Sequence, residues 1–275
     1  MIEDYLKKVL KPRNKSAHKH QCGRVGIIAG SKKYMGAALL TAKSAFRMGA
    51  GLVYLWTEKS KQEWILKVLP DCIVSTYDQA PGSLNQQIKS ACLDALMIGP
   101  GLGTNEMIQP EKWLKQLPDN LKILIDADGI NKITPKALKN LKKNQCILTP
   151  HEGEFKRMFS QDKIKSDDRE NIAKKASQQI NQIVVLKGKK TVVTDGDEVY
   201  INQTGNEGMA VAGTGDVLSG IIGTLMAIHE NTFEAASVGV YLHGLIGDRN
   251  YQKYQNGLMA SDIIDMIPQI INEIR

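Results

Sequence analysis

The feature that most constrains the fold of this chain is an alternation of short apolar segments with segments of helical periodicity. This order is typical of βαβ units, in which parallel strands are joined by helices and the sheet is buried on both faces. The predicted strands are residues 24–29, 52–56, 72–76, 95–98, 123–126 and 146–149, and residues 36–48 and 106–116 are two of the helices between them. The sequence therefore predicts an α/β fold with a mostly parallel central sheet and helices on both faces.

The pattern changes after about residue 183. Two further strands, residues 183–187 and 191–194, precede a tight turn at Asp195-Gly196-Asp197 that leads into residues 198–202. This arrangement predicts an antiparallel hairpin that extends the sheet. Three helices are predicted to close the chain, at residues 216–228, 233–250 and 259–274, and Pro268 should kink the last helix or split it in two.

Length and charge limit the architecture and the partners. The 275 residues contain no internal repeat and no low-complexity linker, which favours a single domain over residues 1–275. Residues 161–169 are polar and are predicted to form a surface loop that leads into a helix. The net charge of +7 favours an anionic partner. Because the basic residues are scattered and aromatic residues make up only 5%, that partner is not expected to be a nucleic acid.

The cysteines and the apolar segments favour a protein of the reducing cytoplasm. Cys22, Cys72, Cys92 and Cys146 have no close spacing, so neither a zinc site nor a redox motif is indicated. The first fifteen residues lack the apolar core of a signal peptide. Residues 209–228 are apolar except for Asp216, but their glycines and this charge favour a helix buried in the core over a membrane span. We therefore expect a cytoplasmic location and no membrane contact.

Glycines and polar residues directly follow five of the predicted strands. Ligands of open parallel sheets bind beyond the carboxyl ends of the strands, so residues at these positions are candidates for a site. The five clusters are Gly30-Ser31, Gly99-Pro100-Gly101-Leu102-Gly103, Asp126-Ala127-Asp128, residues 149–154 and Lys187-Gly188. Together they predict one binding site along one edge of the sheet.

The turn Gly213-Thr214-Gly215-Asp216 is the strongest single candidate for chemistry. Glycines on either side of a threonine allow successive backbone amides to point inward as an anion-binding nest, and the helix that follows adds its positive end. Asp216 could then take a proton from a substrate hydroxyl while the nest holds a phosphoryl group. The alternative is that Asp216 only caps the helix. The Lys-Ser/Thr ending of a Walker loop and the GxGxxG spacing of a dinucleotide-binding turn are both missing.

Two other segments carry candidate ligand contacts. Residues 187–191, Lys-Gly-Lys-Lys-Thr, lie between two predicted strands and could approach a phosphate, unless they are only a solvated hairpin loop. His151 follows a strand and Pro150, which favours a ligand contact as much as a structural role. His243 lies in an apolar helix and is predicted to be a satisfied core residue.

Six motifs in order over nearly the whole chain resemble the ADP-dependent NAD(P)H-hydrate dehydratases of the ribokinase-like superfamily. They are GRVGIIAGSKKYMGAALL (23–40), IGPGLG (98–103), DADGINKI (126–133), LTPHEGEF (148–155), LKGKKTVV (186–193) and TGNEGMAVAGTGDVLSG (204–220). The resemblance implies a ribokinase-like fold and an enzyme that repairs hydrated NADH and NADPH. Such an enzyme phosphorylates the hydroxyl of the hydrated ring, with ADP as donor in bacteria or ATP in eukaryotes, and eliminates phosphate to restore the cofactor.

The resemblance also implies roles for individual residues. Asp216 would be the catalytic base and a substrate contact, while Ala38, Gly103 and His151 would contact the hydrate. The adenine nucleotide would be held by Lys187, Gly188, Lys189, Lys190 and Thr191, with Gly215 at its phosphate. Mg²⁺ is implied as the assisting ion, with ligands that the motifs do not identify.

The chain departs from the family pattern at a few positions. Proline is expected in place of Glu152 and Glu207, and these two added carboxylates lie in segments that should meet anionic ligands. The resemblance further implies a homo-oligomer, for example a tetramer. Since about twenty residues precede the first predicted strand, we expect an epimerase of the hydrates to be a separate protein.

Two other hypotheses share the glycine-rich turn. An ordinary ribokinase-like kinase of a small alcohol, such as a hydroxymethylpyrimidine or a hydroxyethylthiazole, would use the same aspartate. A nucleotide-binding regulator without activity would not need Asp216.

Overall fold

The computed structural model describes residues 1–77, 83–103, 108–159 and 168–275. Within these residues nine strands form one sheet in the order β3-β2-β1-β4-β5-β6-β7-β8-β9. The strands are β1 Arg24–Ile28, β2 Leu52–Thr57, β3 Ile73–Thr76, β4 Ala95–Ile98, β5 Lys122–Ile125, β6 Cys146–Leu148, β7 Ile183–Leu186, β8 Val192–Thr194 and β9 Val199–Ile201. All neighbouring pairs from β3 to β7 are parallel, and β8 and β9 add antiparallel pairs. The predicted sheet and its hairpin extension are therefore confirmed.

Helices cover both faces of the sheet. They are α1 Ile2–Val9, α2 Met35–Met48, α3 Gln62–Val68, α4 Ser83–Ser90, α5 Pro110–Trp113, α6 Pro135–Lys139, α7 Glu152–Phe159, α8 Arg169–Ile180, α9 Thr214–Ile228, α10 Thr232–Tyr254 and α11 Ala260–Ile274. One apolar core joins the sheet to α1, α2, α3, α9, α10 and α11, and a second core joins the other face to α4, α6, α7 and α8. The alternation of inward-facing side chains along each strand supplies both cores.

The apolar segment that ends at Ile228 forms a core helix, as predicted. Val217 to Met226 are all buried in α9. Gly220 and Gly223 allow close packing, because a Cβ on Gly220 would lie 1.8 Å from Ser44 Oγ in α2 and one on Gly223 would lie 2.3 Å from Met97 Sδ in β4. In the part of the chain that the structure describes, no helix combines the length and apolar character of a membrane span.

Three sequence predictions need qualification. Helix α11 is continuous from Ala260 to Ile274 with Pro268 inside it, so of the two predicted effects of this proline, a kink or a split, the split does not occur. Five buried isoleucines hold α11 against the core, and their burial outweighs the cost of about 3 kcal/mol for one interior proline. The predicted helix at 106–116 is helical from Pro110, and its first two positions lie outside the described residues. Most of the predicted loop at 161–169 also lies outside the described residues, and a helix, α8, does begin at Arg169.

Candidate active site

The five polar clusters lie along one edge of the sheet. Their strands β1, β4, β5, β6 and β7 are consecutive neighbours and all parallel, so the segments that follow them leave the sheet side by side. Backbone hydrogen bonds connect these segments: the Gly30 amide donates to the Pro100 carbonyl at 2.8 Å, and the Lys187 amide donates to the Pro150 carbonyl at 2.9 Å. The structure thus joins the candidates into one continuous surface.

The amino end of α9 meets this surface. Gly213 precedes the helix with a φ of 95°, which favours glycine, and a Cβ there would lie 2.5 Å from Leu40 Cδ1. The amides of Thr214, Gly215 and Asp216 belong to the first turn, where amides have no partner within the helix. Among the described residues none of the three donates a backbone hydrogen bond. The turn therefore presents free donors and a positive helix end to an anion.

Asp216 lies in this first turn and does not cap it. The residue before the helix is Gly213, and no side-chain capping bond is present. Burial raises the pKa of the Asp216 carboxyl to about 7, with further contributions from the charges of Asp126 and Asp128 that outweigh the opposing charge of Lys187. A carboxyl group with a pKa near neutrality can both accept and release a proton, as a general base requires. The geometry therefore favours the chemical role over the capping role.

A buried ion pair between Lys187 and Asp126 lies next to the turn at the amino end of α9. Lys187 Nζ lies 2.7 Å from Asp126 Oδ1, and the Ser219 hydroxyl donates to Asp126 Oδ2 at 2.7 Å. Burial is the largest single influence and disfavours both charges. The ion pair outweighs it only together with further contributions, the charge of Glu154 at Lys187 and the hydrogen bond from Ser219 at Asp126, so the pKa of Lys187 is raised and that of Asp126 is lowered. Lys187 Nζ also lies 3.6 Å from the position that a Cβ on Gly215 would occupy. Lys187 is therefore not part of a solvated loop, and its ammonium group lies beside the anion-binding turn.

A cleft of about 610 Å³ adjoins the turn. All six residues assigned to the nucleotide contribute to its wall: Lys187, Gly188, Lys189, Lys190, Thr191 and Gly215. The opposite wall is formed by the segment from Asn202 to Ala210 and by α10. The structure thus brings together residues that the sequence places about 25 positions apart, in a concave site next to Asp216.

The three remaining candidates lie outside the lining of this cleft. His151 is about half exposed, with 55% of its side chain accessible, and its Nδ1 accepts the Gly153 amide at 2.9 Å. Gly103 has a φ of 62° and donates its amide to Asp128 Oδ2 at 2.7 Å. Ala38 has no exposed surface and lies beneath Gly30. Contact of these three residues with a hydrate stays a prediction, and for Ala38 it would require a ligand to reach a residue that is fully covered here.

Sequence reasoning missed several members of the site. Asp126 and Asp128 were noticed only as polar residues after a strand, whereas Asp126 is 1% exposed and anchors Lys187. Ser219 follows Asp216 by three positions and so shares its helix face, a spacing that could have indicated it. His243 lines the cleft. Burial lowers its pKa to about 4 although a backbone hydrogen bond with Thr214 opposes the shift, and its Nε2 has no hydrogen-bond partner among the described residues.

The two unexpected carboxylates have local partners. Glu152 forms an ion pair with Arg169, the first residue of α8. Glu207 accepts a hydrogen bond from the Tyr251 hydroxyl at 2.8 Å, and a backbone hydrogen bond together with this contact lowers the pKa of Glu207. Neither replacement of proline by glutamate takes away a functional group of the cleft or of the α9 turn.

The sheet order, the hairpin and the glycine-rich turn before α9 define an α/β enzyme fold of the ribokinase-like type. A ribokinase-like superfamily protein from Enterococcus faecalis V583 superposes with a TM-score of 0.87 at 26% identity, covering 99% of this chain and 94% of that one. The family can be stated more closely. The chain belongs to the NAD(P)H-hydrate dehydratase family, whose model matches residues 25–269.

Named relatives agree with this assignment. The ADP-dependent (S)-NAD(P)H-hydrate dehydratase of Cenarchaeum symbiosum is 30% identical over 98% of this chain and 95% of its own length. The ADP/ATP-dependent NAD(P)H-hydrate dehydratase of Bacillus subtilis, co-crystallised with ATP and Mg²⁺, superposes with a TM-score of 0.84 at 28% identity over 99% of this chain and 97% of that one. The bifunctional NAD(P)H-hydrate repair enzyme of Escherichia coli is 36% identical over 96% of this chain. The chain spans about half the length of such bifunctional relatives.

Proposed function

We propose that this chain is an ADP-dependent dehydratase of the (S)-hydrates of NADH and NADPH. The observation that carries the proposal is the placement of the Asp216 carboxyl, with a pKa of about 7, in the turn whose amides and neighbouring Lys187 can bind a phosphoryl group. Membership of the dehydratase family and the cleft beside the turn support the assignment.

The reaction follows from these positions. Asp216 accepts the proton of the hydroxyl on the hydrated ring, and the hydroxyl oxygen bonds to the β-phosphorus of ADP as the bond to the leaving AMP breaks. The free amides at the start of α9 and the ammonium of Lys187 stabilise the charge on the transferred group. The phosphate ester then leaves as inorganic phosphate while the neighbouring ring carbon loses a proton, which restores the dihydronicotinamide. Phosphorylation thus converts a poor leaving group into a good one.

A magnesium ion fits this site as a companion of the nucleotide. The described residues contain no cluster of three or more histidine, cysteine, aspartate or glutamate side chains that could hold a metal by themselves. Mg²⁺ commonly binds through one or two carboxylates together with substrate phosphates and water, and Asp128 is a carboxylate near the α9 turn. When bound, the ion would neutralise charge on the nucleotide phosphates.

The direct test is incubation with chemically hydrated NADH and either ADP or ATP. We expect absorbance of the dihydronicotinamide to return with ADP, with AMP and phosphate formed in equal amounts. No recovery of NADH, together with phosphorylation of a small alcohol offered in its place, would favour a small-alcohol kinase, and binding without any turnover would favour a regulator. Turnover with ATP and none with ADP would contradict the choice of donor while leaving the reaction class intact.

Two proposed partnerships need separate measurements. An epimerase that converts the other hydrate into the substrate form would work in the same repair, and adding such an enzyme should raise the recoverable fraction of a mixed hydrate. Light scattering should give a mass that is a multiple of 30.4 kDa if the chain forms the proposed homo-oligomer.

A further inference from the structure

Arg169 connects three parts of the candidate site from a position that no motif indicates. Its side chain is only 10% exposed, and its Nη2 donates to the carbonyls of Leu186 at 3.1 Å and Lys187 at 3.0 Å. Its Nη1 donates to Glu152 at the start of α7. One guanidinium group therefore holds the end of β7, the first residue of the 187–191 segment and the α7 turn that follows His151.

Two features of the sequence make this contact possible. Gly188 has a φ of 145°, and a Cβ at that position would lie 2.8 Å from Arg169 Nη2, so a larger residue would displace the guanidinium from the loop. Glu152 stands where the family pattern would place proline, and proline has no carboxylate to offer. The ion pair thus depends on the carboxylate that this chain carries at position 152.

The guanidinium reinforces a direct link between the two loops. The Lys187 amide already donates to the Pro150 carbonyl at 2.9 Å. Lys187 then extends to Asp126 and the α9 turn, whereas His151 extends from the other loop toward the surface. Any shift at the end of β7 would move the ammonium of Lys187 relative to His151.

We propose that Arg169, held by Glu152, is a positioning residue that keeps the nucleotide loop 187–191 and the hydrate loop 149–154 in fixed relation for phosphoryl transfer. The proposal rests on the proposed function of these two loops. Transfer between two bound ligands depends on their alignment, and a displacement of about 1 Å can cost about a hundredfold in rate. Because Glu152 is about half exposed, its ion pair contributes little to stability by itself, which separates positioning from folding.

The test compares four variants with the parent enzyme. Arg169→Lys keeps the charge but loses the contact to both carbonyls, and Arg169→Met loses the charge as well as the contact. Glu152→Gln and Glu152→Pro remove only the ion pair with Arg169. Proline is tolerated at the first position of a helix. Arg24→Lys is the matched control, because Arg24 forms a comparable two-pronged pair with Asp94 at the opposite edge of the sheet.

We expect kcat to fall about tenfold to a hundredfold in the Arg169 variants, less in Arg169→Lys than in Arg169→Met, with a smaller change in KM for ADP. In the Glu152 variants kcat should fall severalfold, while the melting temperature should be almost unchanged. Arg24→Lys should lose stability without losing kcat. Unchanged kcat in Arg169→Lys and both Glu152 variants would overturn the proposal, even if Arg169→Met fails to fold.

Amide hydrogen exchange gives a readout that does not depend on the assigned reaction. Protection of the Lys187 amide, which reports the bond to Pro150, should fall in Arg169→Lys and Glu152→Gln but not in Arg24→Lys. If the parent enzyme does not restore hydrated NADH, the proposed function fails while exchange still decides whether Arg169 fixes the loops. Equal protection in all variants would contradict the positioning role regardless of activity.

Discussion

Replacing Asp216 with asparagine tests the central feature of the site, a partly buried carboxyl with a raised pKa. The change keeps the shape of the side chain and removes the charge. The pKa of this carboxyl is raised from its ordinary value of 3.8 to about 7, a difference of about 3.2. At about 1.36 kcal/mol per unit, ionisation of Asp216 costs the folded state up to about 4 kcal/mol.

The sign of this effect follows from proton binding. Between about pH 4 and pH 7 the folded state holds a proton on Asp216 that the unfolded state has released, so stability falls as pH rises through this range. Above about pH 7 the folded state bears the full free-energy cost of ionising Asp216, and below about pH 4 it bears none of it. The Asp216→Asn protein should therefore be more stable than the parent at pH 8, by as much as about 4 kcal/mol, and equally stable near pH 4.

Urea unfolding of both proteins across this pH range measures the difference. Asp265→Asn, on the exposed side of α11, removes a charge of the same sign and reports the effect of net charge alone. Turnover is measured on the same samples. The parent rate should rise with pH through about 7, and the asparagine variant should be at least about a hundredfold slower at every pH.

Two results would refute the reasoning. A stability difference that does not change with pH would mean that the Asp216 carboxyl is not strained by burial. Near-parental turnover in Asp216→Asn would exclude it as the base. Because the structure shows no capping bond from Asp216, a loss of stability in the variant would also contradict the geometry described above.

Three further predictions concern the surroundings of the site. Lys187→Met should weaken nucleotide binding in calorimetry and also lower the unfolding free energy by about 3–5 kcal/mol, because it leaves the buried Asp126 without its partner; a sequence-only view would expect folding to be nearly unchanged. Asp128→Asn should lower the kinetic pKa of Asp216, since the charge of Asp128 raises it, and an unchanged pH–rate profile would argue against that coupling. Gly220→Ala should lower the melting temperature sharply, because the new Cβ would lie 1.8 Å from a serine oxygen and 2.4 Å from a backbone carbonyl of α2; a parental melting curve would mean that α2 and α9 separate easily.

Much of the fold could be predicted because it depends on local patterns. Each strand is a short apolar run, and its bounds agree with the structure to within one or two residues. The common edge of the five polar clusters followed from the parallel arrangement alone. Helix α1 could also have been predicted, since the buried Tyr5, Leu6 and Val9 have helical spacing. Helix α6 is a limit of physics, because five residues cannot display a periodic pattern.

The candidate site was only partly predictable, because its electrostatics depend on distances through space. Lys187 and Asp126 are 61 residues apart, and they meet because β5, β6 and β7 are neighbours in the sheet. The ion pair between Arg169 and Glu152 was equally unpredictable. The two residues belong to different helices, and the sequence between them does not indicate that they meet. Residue type and position after a strand identified the candidates, whereas the burial and the neighbouring carboxylates that raise the pKa of Asp216 required the assembled sheet.

The packing of α9 against α2 has a consequence for how the chain folds during synthesis. The Thr41 hydroxyl donates to the carbonyl of Asp216, 175 residues later, and the Thr224 hydroxyl donates to that of Ala45, 179 residues earlier. At ribosomal rates of about 5–20 residues per second, α9 is synthesised roughly 9–35 s after α2 and can pack against it only then. Growing chains should therefore expose an apolar helix face for most of their synthesis. Fragments that end before residue 214 are expected to aggregate, so we do not expect the first 213 residues to fold as a separate unit that carries its share of the site.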